Sequence, residues 1–421
     1  MNSHSDQPQP SIFTRNTILI LFGAFSYQAA SMLMNPLIVG FTHSLGASAV
    51  LAGMIAAMMN FVSLLFRPFA GQLTDTVSKY KLAFIGGGLL LLASVGYAVA
   101  IAPWMIALFR IANGIGFALC SVCMATWLSG MLPRNKVGMG MGYYGMMNAL
   151  GMAIAPALGI FVYSHFSYRI AFLCATVFSA ILLILIQFVL DRGLPLQTAV
   201  QGGKHKLRIV QPKVIPVAII IMLLSIPYFA TQSYIVEYVA ARHLHVAVGS
   251  FFIIYAVILL VMRIVLKDYF DRVPFKWFLL AGTICDLIGM VGLMNLYNIW
   301  MMILAAAGLA GGYGLMYSVC QSTALLVAPM EEQGLANSTF YIGMDTDGAR
   351  ANHWRLPVRL PAVQHVLSGA DAGRADYGDC VPDFSQATPS LSDICKDVPV
   401  QFAGTSFFVV KILPDWYTLQ M

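Results

Sequence analysis

The sequence predicts an all-α membrane protein that crosses a bilayer about ten times and contains two related bundles of helices. Hydrophobic residues make up 59% of the 421 residues, charged residues make up 10%, and the mean hydropathy is +0.77. A soluble domain carries about 25% charged residues, which excludes a soluble globular fold here. The apolar runs are long enough to cross a hydrocarbon layer of about 30 Å at about 1.5 Å per residue.

A charge pattern that occurs twice indicates the two bundles. Arg67 and Asp75 are followed, in each case 196 positions later, by Arg263 and Asp271. A pattern that returns at a fixed offset between apolar runs is typical of a duplicated helical unit.

The composition along the chain predicts its organisation. Residues 1–15 are expected to be a cytoplasmic N-terminus, 16–190 a bundle of six helices, 191–213 a basic cytoplasmic linker, and 214–345 an incomplete second bundle. The basic residues of the predicted loops favour this orientation, because Lys and Arg concentrate in cytoplasmic loops.

The first three helices are predicted over 16–41, 48–66 and 82–102, which leaves a charged segment between the second and the third. We expect this segment to be a cytoplasmic loop that is either an ordinary basic loop or a gate. Its candidate gate residues are Arg67, Gly71, Asp75, Lys79 and Lys81, and those of the second copy are Arg263, Asp271 and Arg272.

The fourth helix contains Arg110 and Asn113 inside an apolar run. A buried arginine costs about 2.5 kcal/mol or more on insertion scales, so it normally has a partner or lines a cavity. Arg110 is therefore a candidate for transport or coupling, and the alternative is a structural arginine that reaches the interface.

These segments resemble the major facilitator superfamily. The spacing Gly71-x-Leu73-x-Asp75-x-x-x-Lys79-x-Lys81 is similar to the loop between the second and third helices of that family, and Arg110-x-x-Asn113-Gly-x-Gly is similar to its fourth-helix signature. The resemblance implies a two-bundle fold with twelve helices, of which about ten are complete here. It also implies that the loop is a cytoplasmic gate and that Arg110 takes part in proton coupling or substrate orientation.

The fifth helix carries small residues at helical spacing around a proline: Gly151, Ala155, Pro156 and Gly159. Small residues let helices approach closely, and the proline predicts a kink. The pattern resembles the fifth-helix signature of the family's antiporters, which implies a place in its drug:proton antiporter branch. Ala155 and Ile160 stand where that signature has glycine.

The second half is predicted to hold helices over about 214–238, 247–266, 277–297 and 300–328. Glu237 and Asp286 are acidic residues within these apolar runs. Asp345 is an acidic residue that follows them. Proton coupling needs a carboxylate that can be neutral or charged, so we assign Asp286, the deepest in its helix, and also Glu237, which is expected near the outer mouth, as coupling candidates. An alternative for Asp286 is a carboxylate paired between helices.

Polar and aromatic residues within the predicted helices are candidates for a substrate cavity, although such residues more often pack against neighbouring helices. They are Gln28, Asn35, Tyr143, Tyr144 and Gln232. We predict no metal site, because Cys120 and Cys123 have ligand-like spacing but no acidic or histidine neighbour inside their helix.

Residues 346–421 are rich in charge and proline, and they are expected to form a disordered tail outside the membrane. The stretch Asp347–Arg355 can be encoded by a permitted set of codons that has a second meaning. When the same bases are read from one base later, they encode Met-Ala-Leu-Gly-Pro-Ile-Ile-Gly-Gly. That is the fifth-helix signature in fuller form, so the sequence predicts a frameshift that replaced the last two helices. The competing interpretation is a genuine tail.

Together these features predict a secondary active transporter that is not an enzyme and that exports a small molecule by proton coupling. The expected energy source is the proton gradient, and no cofactor is expected. The protein is expected to be a multi-pass monomer in the cell membrane. Its expected partners are lipid and the small-molecule substrate, and no nucleic acid. The alternatives are a transport-inactive binding or sensor protein and a facilitator that imports a small solute.

Overall fold

The structure is a computed structural model that describes residues 12–195, 208–241, 248–266, 269–270 and 272–353. Every regular element in these residues is helical. Nine helical segments of the described part are long and apolar enough to cross a membrane, and a shorter apolar helix lies among them. The predicted all-α membrane fold is therefore confirmed.

The first bundle consists of the helices that precede the linker. α1 runs through a short 3-10 turn into α2, and the others are separated by short loops. Their bounds are Arg15–Met34 (α1), Ile38–Ser44 (α2), Ala49–Thr76 (α3), Lys79–Val99 (α4), Pro103–Met131 (α5), Val137–His165 (α6) and Tyr168–Gln187 (α7).

The second bundle follows the linker, and one of its spans contains a π-helical segment, Ala310–Gly314. This segment joins α11 to α12. The bounds are Ile215–Ala241 (α8), Val248–Val265 (α9), Phe275–Met294 (α10), Ile299–Leu309 (α11), Leu315–Val327 (α12) and Gln333–His353 (α13).

Side-chain caps explain several of the helix starts. Thr14 forms a capping box at α1 through Thr17, and Ser48 accepts a hydrogen bond from the Leu51 N–H at α3. Asn298 caps α11 in the same way. Such caps satisfy backbone N–H groups that have no partner inside the helix.

Glycines let the helices within each bundle pack with their backbones close together. A Cβ on Gly116 of α5 would lie 2.8 Å from the carbonyl oxygen of Gly86 of α4. A Cβ on Gly292 of α10 would lie 2.7 Å from the backbone nitrogen of Ala305 of α11. Close approach through small residues is the usual way in which membrane helices associate.

The duplication predicted from the charge pattern is visible in the helix starts. A 3-10 turn at Arg134–Lys136 precedes α6, and one at Met330–Glu332 precedes α13. The two turns begin 196 positions apart, and the starts of α6 and α13 are also 196 positions apart.

Two predicted boundaries differ from the structure. The second helix was expected to end at residue 66, but α3 continues to Thr76, so the expected loop shrinks to Val77 and Ser78. The helix continues because Arg67 and Thr74 are buried and find partners inside the protein, which a charge pattern alone cannot reveal. The expected end of the second bundle at residue 345 falls inside α13, whose backbone is helical to His353.

Candidate functional site

The two bundles meet where α3 crosses α13, a contact that we call the crossing. A Cβ on Gly71 of α3 would lie 3.0 Å from the carbonyl oxygen of Gly334, and one on Gly334 would lie 2.5 Å from the carbonyl oxygen of Gly71. Neither position can accept a side chain without separating the helices. The structure therefore brings the predicted gate residue Gly71 directly against the second bundle.

Asp75 lies at the end of the crossing and caps the first turn of α13. Its two carboxylate oxygens accept hydrogen bonds from the backbone N–H groups of Gly334 and Leu335, at 2.6 and 2.9 Å. A negative charge at a helix N-terminus is favoured both by these unpaired N–H groups and by the helix dipole. Asp75 thus links the two bundles by capping a helix that is remote in sequence.

Arg67 lies deeper in the crossing and is fully buried. Its Nε donates to Oδ2 of Asp345 at 2.6 Å, and its Nη1 donates to Oγ of Ser121 at 2.9 Å. The guanidinium lies 4.3 Å from the ring centroid of Tyr341, and Ser338 donates to the Arg67 carbonyl at 2.6 Å. The placement of Arg67 in the turn between two helices was wrong, because Arg67 lies inside α3 and forms an ion pair between the bundles.

The remaining gate candidates do not join the crossing through any side-chain contact that the described residues show. Lys79 opens α4, and its backbone N–H donates to Gly193 at 2.9 Å. Lys81 and Arg272 are exposed. Asp271 lies outside the described residues.

Arg263 is the second-bundle counterpart of Arg67 and is also buried, with 4% of its surface exposed. Its Nη1 donates to the Gly142 carbonyl of α6 at 2.8 Å, and its Nη2 donates to the Gly314 carbonyl at 2.7 Å. Arg263 therefore also reaches across the two bundles, from within α9 and from within the helix predicted over 247–266.

Arg110 is buried in the first bundle, as its place in an apolar run predicts, with 2% exposure. It donates to the Asn35 side chain at 3.1 Å and to the backbone carbonyls of Ile55 and Ala56 of α3. The N–H groups of the guanidinium therefore bond to neutral oxygens. Among the described contacts, no carboxylate balances its positive charge. Asn113, one turn further on, is buried, and neither polar atom of its side chain has a partner among the described residues.

Asp286 of α10 is 1% exposed and faces the π-helical segment. A Cβ on Gly312 would collide with its carboxyl group, and the backbone N–H of Tyr313 is the polar group that faces it. Neither carboxyl oxygen makes a hydrogen bond of good geometry within the described residues. The side chains of the other candidates in this bundle, Gln232 and Glu237, lie outside the described part.

The fifth-helix motif packs α6 against α1 inside the first bundle. A Cβ on Gly159 would lie 2.6 Å from the Leu33 carbonyl, and one on Gly151 would lie 3.0 Å from Gln28. Ala155 is buried in the same contact, and Pro156 lies within α6 without ending it. Gln28 is therefore part of this helix packing and does not line the narrow crevices beside Arg263.

Hydroxyl groups of tyrosines connect the helices near the crossing. Tyr27 and Tyr144 share a hydrogen bond of 3.0 Å, and Tyr27 also donates to Asn148 at 3.2 Å. Tyr143 instead lies beside Arg263 and Gly142, at a crevice too narrow to hold a water molecule.

A matching polar cluster lies in the second bundle. The Tyr317 and Tyr341 hydroxyls share a hydrogen bond of 3.0 Å, and the Gln321 side chain donates to Tyr341 and to Asn337. Asn337 in turn donates to the Val122 carbonyl of α5 at 3.0 Å, so this cluster also joins the bundles.

Sequence reasoning missed the partners of Arg67 in the crossing, Ser121 and Asp345 among them. Asp345 was visible as an acidic residue after an apolar run, but its arginine is 278 positions away in the chain. Among the described residues, no group of three or more His, Cys, Asp or Glu is placed to hold a metal ion. The arrangement offers reversible polar contacts between two bundles and buried charges that could change protonation state.

Comparisons with known proteins agree on one family. The sequence profile described as "Major Facilitator Superfamily" matches residues 20–345. The uncharacterized MFS-type transporter YhhS of Escherichia coli K12 is 24% identical over 341 residues, which cover 78% of this chain and 81% of that protein. A multi-drug resistance efflux pump PmrA homolog of Lactococcus lactis is 25% identical over 167 residues, covering 38% of this chain and 41% of that protein.

Solved structures show the same fold. A proton:xylose symporter, XylE, superposes with a TM-score of 0.65 at 14% sequence identity, covering 84% of this chain and 90% of that one. The human organic anion transporter MFSD10 superposes with a TM-score of 0.61 at 14% identity, covering 83% and 95% of the two chains. At these identities the likeness concerns the fold alone.

Proposed function

The chain belongs to the major facilitator superfamily and is a multi-pass membrane transporter, and on that premise we propose that it exports a small molecule by proton-coupled alternating access. The observation that carries the proposal is the crossing of α3 and α13. Its ion pair, Arg67 with Asp345, and its helix cap, Asp75, hold the bundles together through polar contacts. Contacts of this kind can break and re-form as the bundles rock.

Two carboxyl groups, the buried one of Asp286 and the half-buried one of Asp345, support the proton-coupled part of the proposal. Asp345 is bound to an arginine between the bundles, and Asp286 has no hydrogen bond of good geometry inside its bundle. A carboxyl group that moves between a buried and a hydrated environment takes up or releases a proton. Asp286 and Asp345 are therefore the proposed proton carriers.

Arg110 is proposed to orient the substrate or to couple it to the proton. It is buried with a full set of neutral acceptors and has no carboxylate among its described contacts. Buried charge of this kind in a membrane protein is costly and normally functional. The partial similarity to the multi-drug resistance efflux pump homolog favours export and the drug:proton antiporter branch.

The test is a flux assay on the purified full chain in proteoliposomes. Vesicles loaded with a pH-sensitive dye receive candidate organic compounds, and a proton movement that depends on a compound identifies a coupled substrate. Arg110→Gln should abolish this movement while membrane insertion is unchanged, and Arg134→Gln, at an exposed arginine, is the matched control. Flux that persists after every ion gradient has been collapsed would reject proton-coupled export.

We further propose that the protein acts as a monomer in the cell membrane, with the Asp75 end of the crossing facing the cytoplasm. Lys79 and Lys81 at that end support this orientation, because basic residues concentrate on the cytoplasmic side. The family match ends at residue 345. The stretch 347–355 follows directly, and its permitted codons, read from one base later, encode the fifth-helix signature. Sequencing the gene around codons 345–356 tests the proposed frameshift.

A further inference from the structure

The fourth span of each bundle has the same length but not the same conformation. α5 covers Pro103–Met131 and contains 29 residues. Its counterpart runs over Ile299–Val327, also contains 29 residues, and starts 196 positions later. α5 is α-helical throughout, whereas the second span contains the π-helical segment, in which the Leu315 N–H donates to the Ala310 carbonyl five residues back.

The contacts on both sides of the π-helical segment are the same in the two bundles. After it, a Cβ on Gly86 would lie 2.8 Å from Sγ of Cys120, and one on Gly282 would lie 2.6 Å from Cγ of Met316. Both residues of the second pair follow those of the first by 196 positions. The equivalent pairs before the segment are Gly96 with Phe109 and Gly292 with Ala305. The difference between the two spans is therefore local to the segment.

This local difference coincides with one acidic residue. Gly312 lies so close to the carboxyl group of Asp286 that a Cβ would collide with it. The equivalent residues of the first bundle are Gly116 and Leu90, and a Cβ on Gly116 would lie 3.2 Å from Cγ of Leu90. Leucine offers no hydrogen-bond acceptor, whereas the Asp286 carboxyl group faces the Tyr313 N–H. A side chain that competes for a backbone N–H group is a recognised cause of an irregular helical turn.

The last carbonyl of the turn also has different partners in the two bundles. In the first bundle the Ala118 carbonyl accepts a hydrogen bond from the Ser121 hydroxyl at 3.2 Å, and the described contacts do not join it to Arg67. In the second bundle the equivalent carbonyl, that of Gly314, accepts directly from Nη2 of Arg263 at 2.7 Å. The π-helical segment therefore presents its last carbonyl to the arginine that also reaches the first bundle.

Few charged groups surround Asp286. Its carboxyl group interacts electrostatically with Tyr255 of α9 and with its neighbour Cys285. α11 contains no titratable residue, and Arg263 of α9 has both terminal nitrogens bound to carbonyl oxygens. The remaining described titratable side chains on the elements packed against α10 are Tyr228 of α8, Tyr313 of the segment, and Tyr317 and Cys320 of α12. None of these groups is a carboxyl group, so titration of a carboxyl group at this place reports on Asp286.

We infer that the π-helical segment is a switch that is set by the protonation of Asp286. The ionised carboxyl group is the stronger acceptor for the Tyr313 N–H and favours the π-helical form. When Asp286 takes up a proton, this interaction weakens, and the segment adopts the α-helical form that α5 shows at the equivalent place. The Gly314 carbonyl then leaves Arg263.

This switch deepens the proposed function, because it connects a proton on Asp286 to the contact between the bundles. Arg263 binds Gly314 in the second bundle and Gly142 in the first, so the loss of one hydrogen bond repositions the guanidinium against the other carbonyl. The inference rests on the proposed function only for the claim that this change drives transport.

The experiment is magic-angle-spinning NMR of the full chain in lipid nanodiscs, with ¹³C in the glycine carbonyls and ¹⁵N in the tyrosine amides. The chain contains three Gly–Tyr pairs, each of which gives one signal: Gly96–Tyr97, Gly142–Tyr143 and Gly312–Tyr313. The third pair contains the N–H that faces Asp286, and the second contains the carbonyl that Arg263 binds. The first pair lies in α4 and serves as the internal reference.

The pH is varied between about 4 and 9, a range that includes the ordinary and the raised pKa values of carboxyl groups. The Gly312–Tyr313 signal should move between two positions, and the Gly142–Tyr143 signal should move with the same midpoint, while the reference stays in place. Asp286→Asn preserves the shape of the side chain and should hold both signals at their low-pH positions at every pH. Asp286→Leu, which introduces the residue type of the first bundle, should do the same.

Asp191→Asn, at an exposed carboxyl group, is the matched control and should titrate like the unmodified chain. The inference is overturned if the Gly312–Tyr313 signal stays fixed in the unmodified chain, if it still moves in Asp286→Asn, or if it moves without the Gly142–Tyr143 signal. It is also overturned if Asp286→Leu holds the signal at its high-pH position, because the glycines alone would then cause the π-helical form. Switching without proton-coupled flux in proteoliposomes would leave the inference standing and contradict the proposed function, whereas flux without switching would do the reverse.

Discussion

Replacing Asp345 with asparagine removes the negative charge that Arg67 meets in the crossing while it preserves the shape of the side chain. Arg67 is fully buried, and 18% of the Asp345 side chain is exposed. Removing one partner of a buried ion pair costs about 3–5 kcal/mol. The partial exposure of Asp345 reduces that cost, so we expect about 2 kcal/mol, or a factor of about 30 in the equilibrium between joined and separated bundles.

Hydrogen exchange of the first turn of α13 measures that equilibrium. The N–H groups of Gly334 and Leu335 are bonded to Asp75 across the crossing, so they exchange when the bundles separate. In nanodiscs, Asp345→Asn should accelerate their exchange about 30-fold. Arg67→Gln should act similarly, and Arg272→Gln, at an exposed arginine, should have no effect.

A double-mutant cycle separates the pair from other effects of each change. The two single substitutions break the same interaction, so the double variant should exchange little faster than either single variant, with a coupling of about 2 kcal/mol. Additive effects of Arg67→Gln and Asp345→Asn, or single variants that exchange at the unmodified rate, would refute the role of this pair in holding the crossing together.

Three further predictions concern the same machinery. Asp75→Ala removes a helix cap worth about 1 kcal/mol and should accelerate exchange in the first turn of α13 about five-fold, as mass spectrometry of that peptide would show. Gly71→Val should separate α3 from α13 and accelerate the same exchange, whereas Gly53→Val, in a part of α3 with open space around it, should not. Asp286→Asn keeps the shape of the side chain but removes its titratable proton, so it should abolish proton-coupled flux in proteoliposomes. Normal proton-coupled flux in this variant would contradict the role of Asp286.

Much of the fold could be predicted because its signals are local in sequence. Apolar runs of spanning length mark the helices, and a repeated charge pattern marks the duplication. The family resemblance implied a gate that includes Gly71 and Asp75, and the structure places both residues against the second bundle. The residues that form the other side of this gate, Gly334 and Leu335, could not be named, because a helix cap from another helix leaves no local pattern.

The buried ion pair shows where sequence reasoning stopped. Arg67 stands among polar and charged residues, a pattern that favours a cytoplasmic loop, yet it is inside α3 and shielded from solvent. Its partner Asp345 follows an apolar run in a different bundle, and only the tertiary fold brings the two together. The same reason explains why Asn35 could be chosen as a polar residue of the first helix but not as the partner of Arg110.

The central claim is that the two bundles separate at the crossing and re-form it during transport. Spin labels at Lys81→Cys and Arg272→Cys, exposed positions near the ends of α4 and α10, report the distance between the bundles in nanodiscs. Double electron-electron resonance should show two distance populations, and Asp345→Asn should enrich the longer one. A single distance that does not change with this substitution would contradict the account.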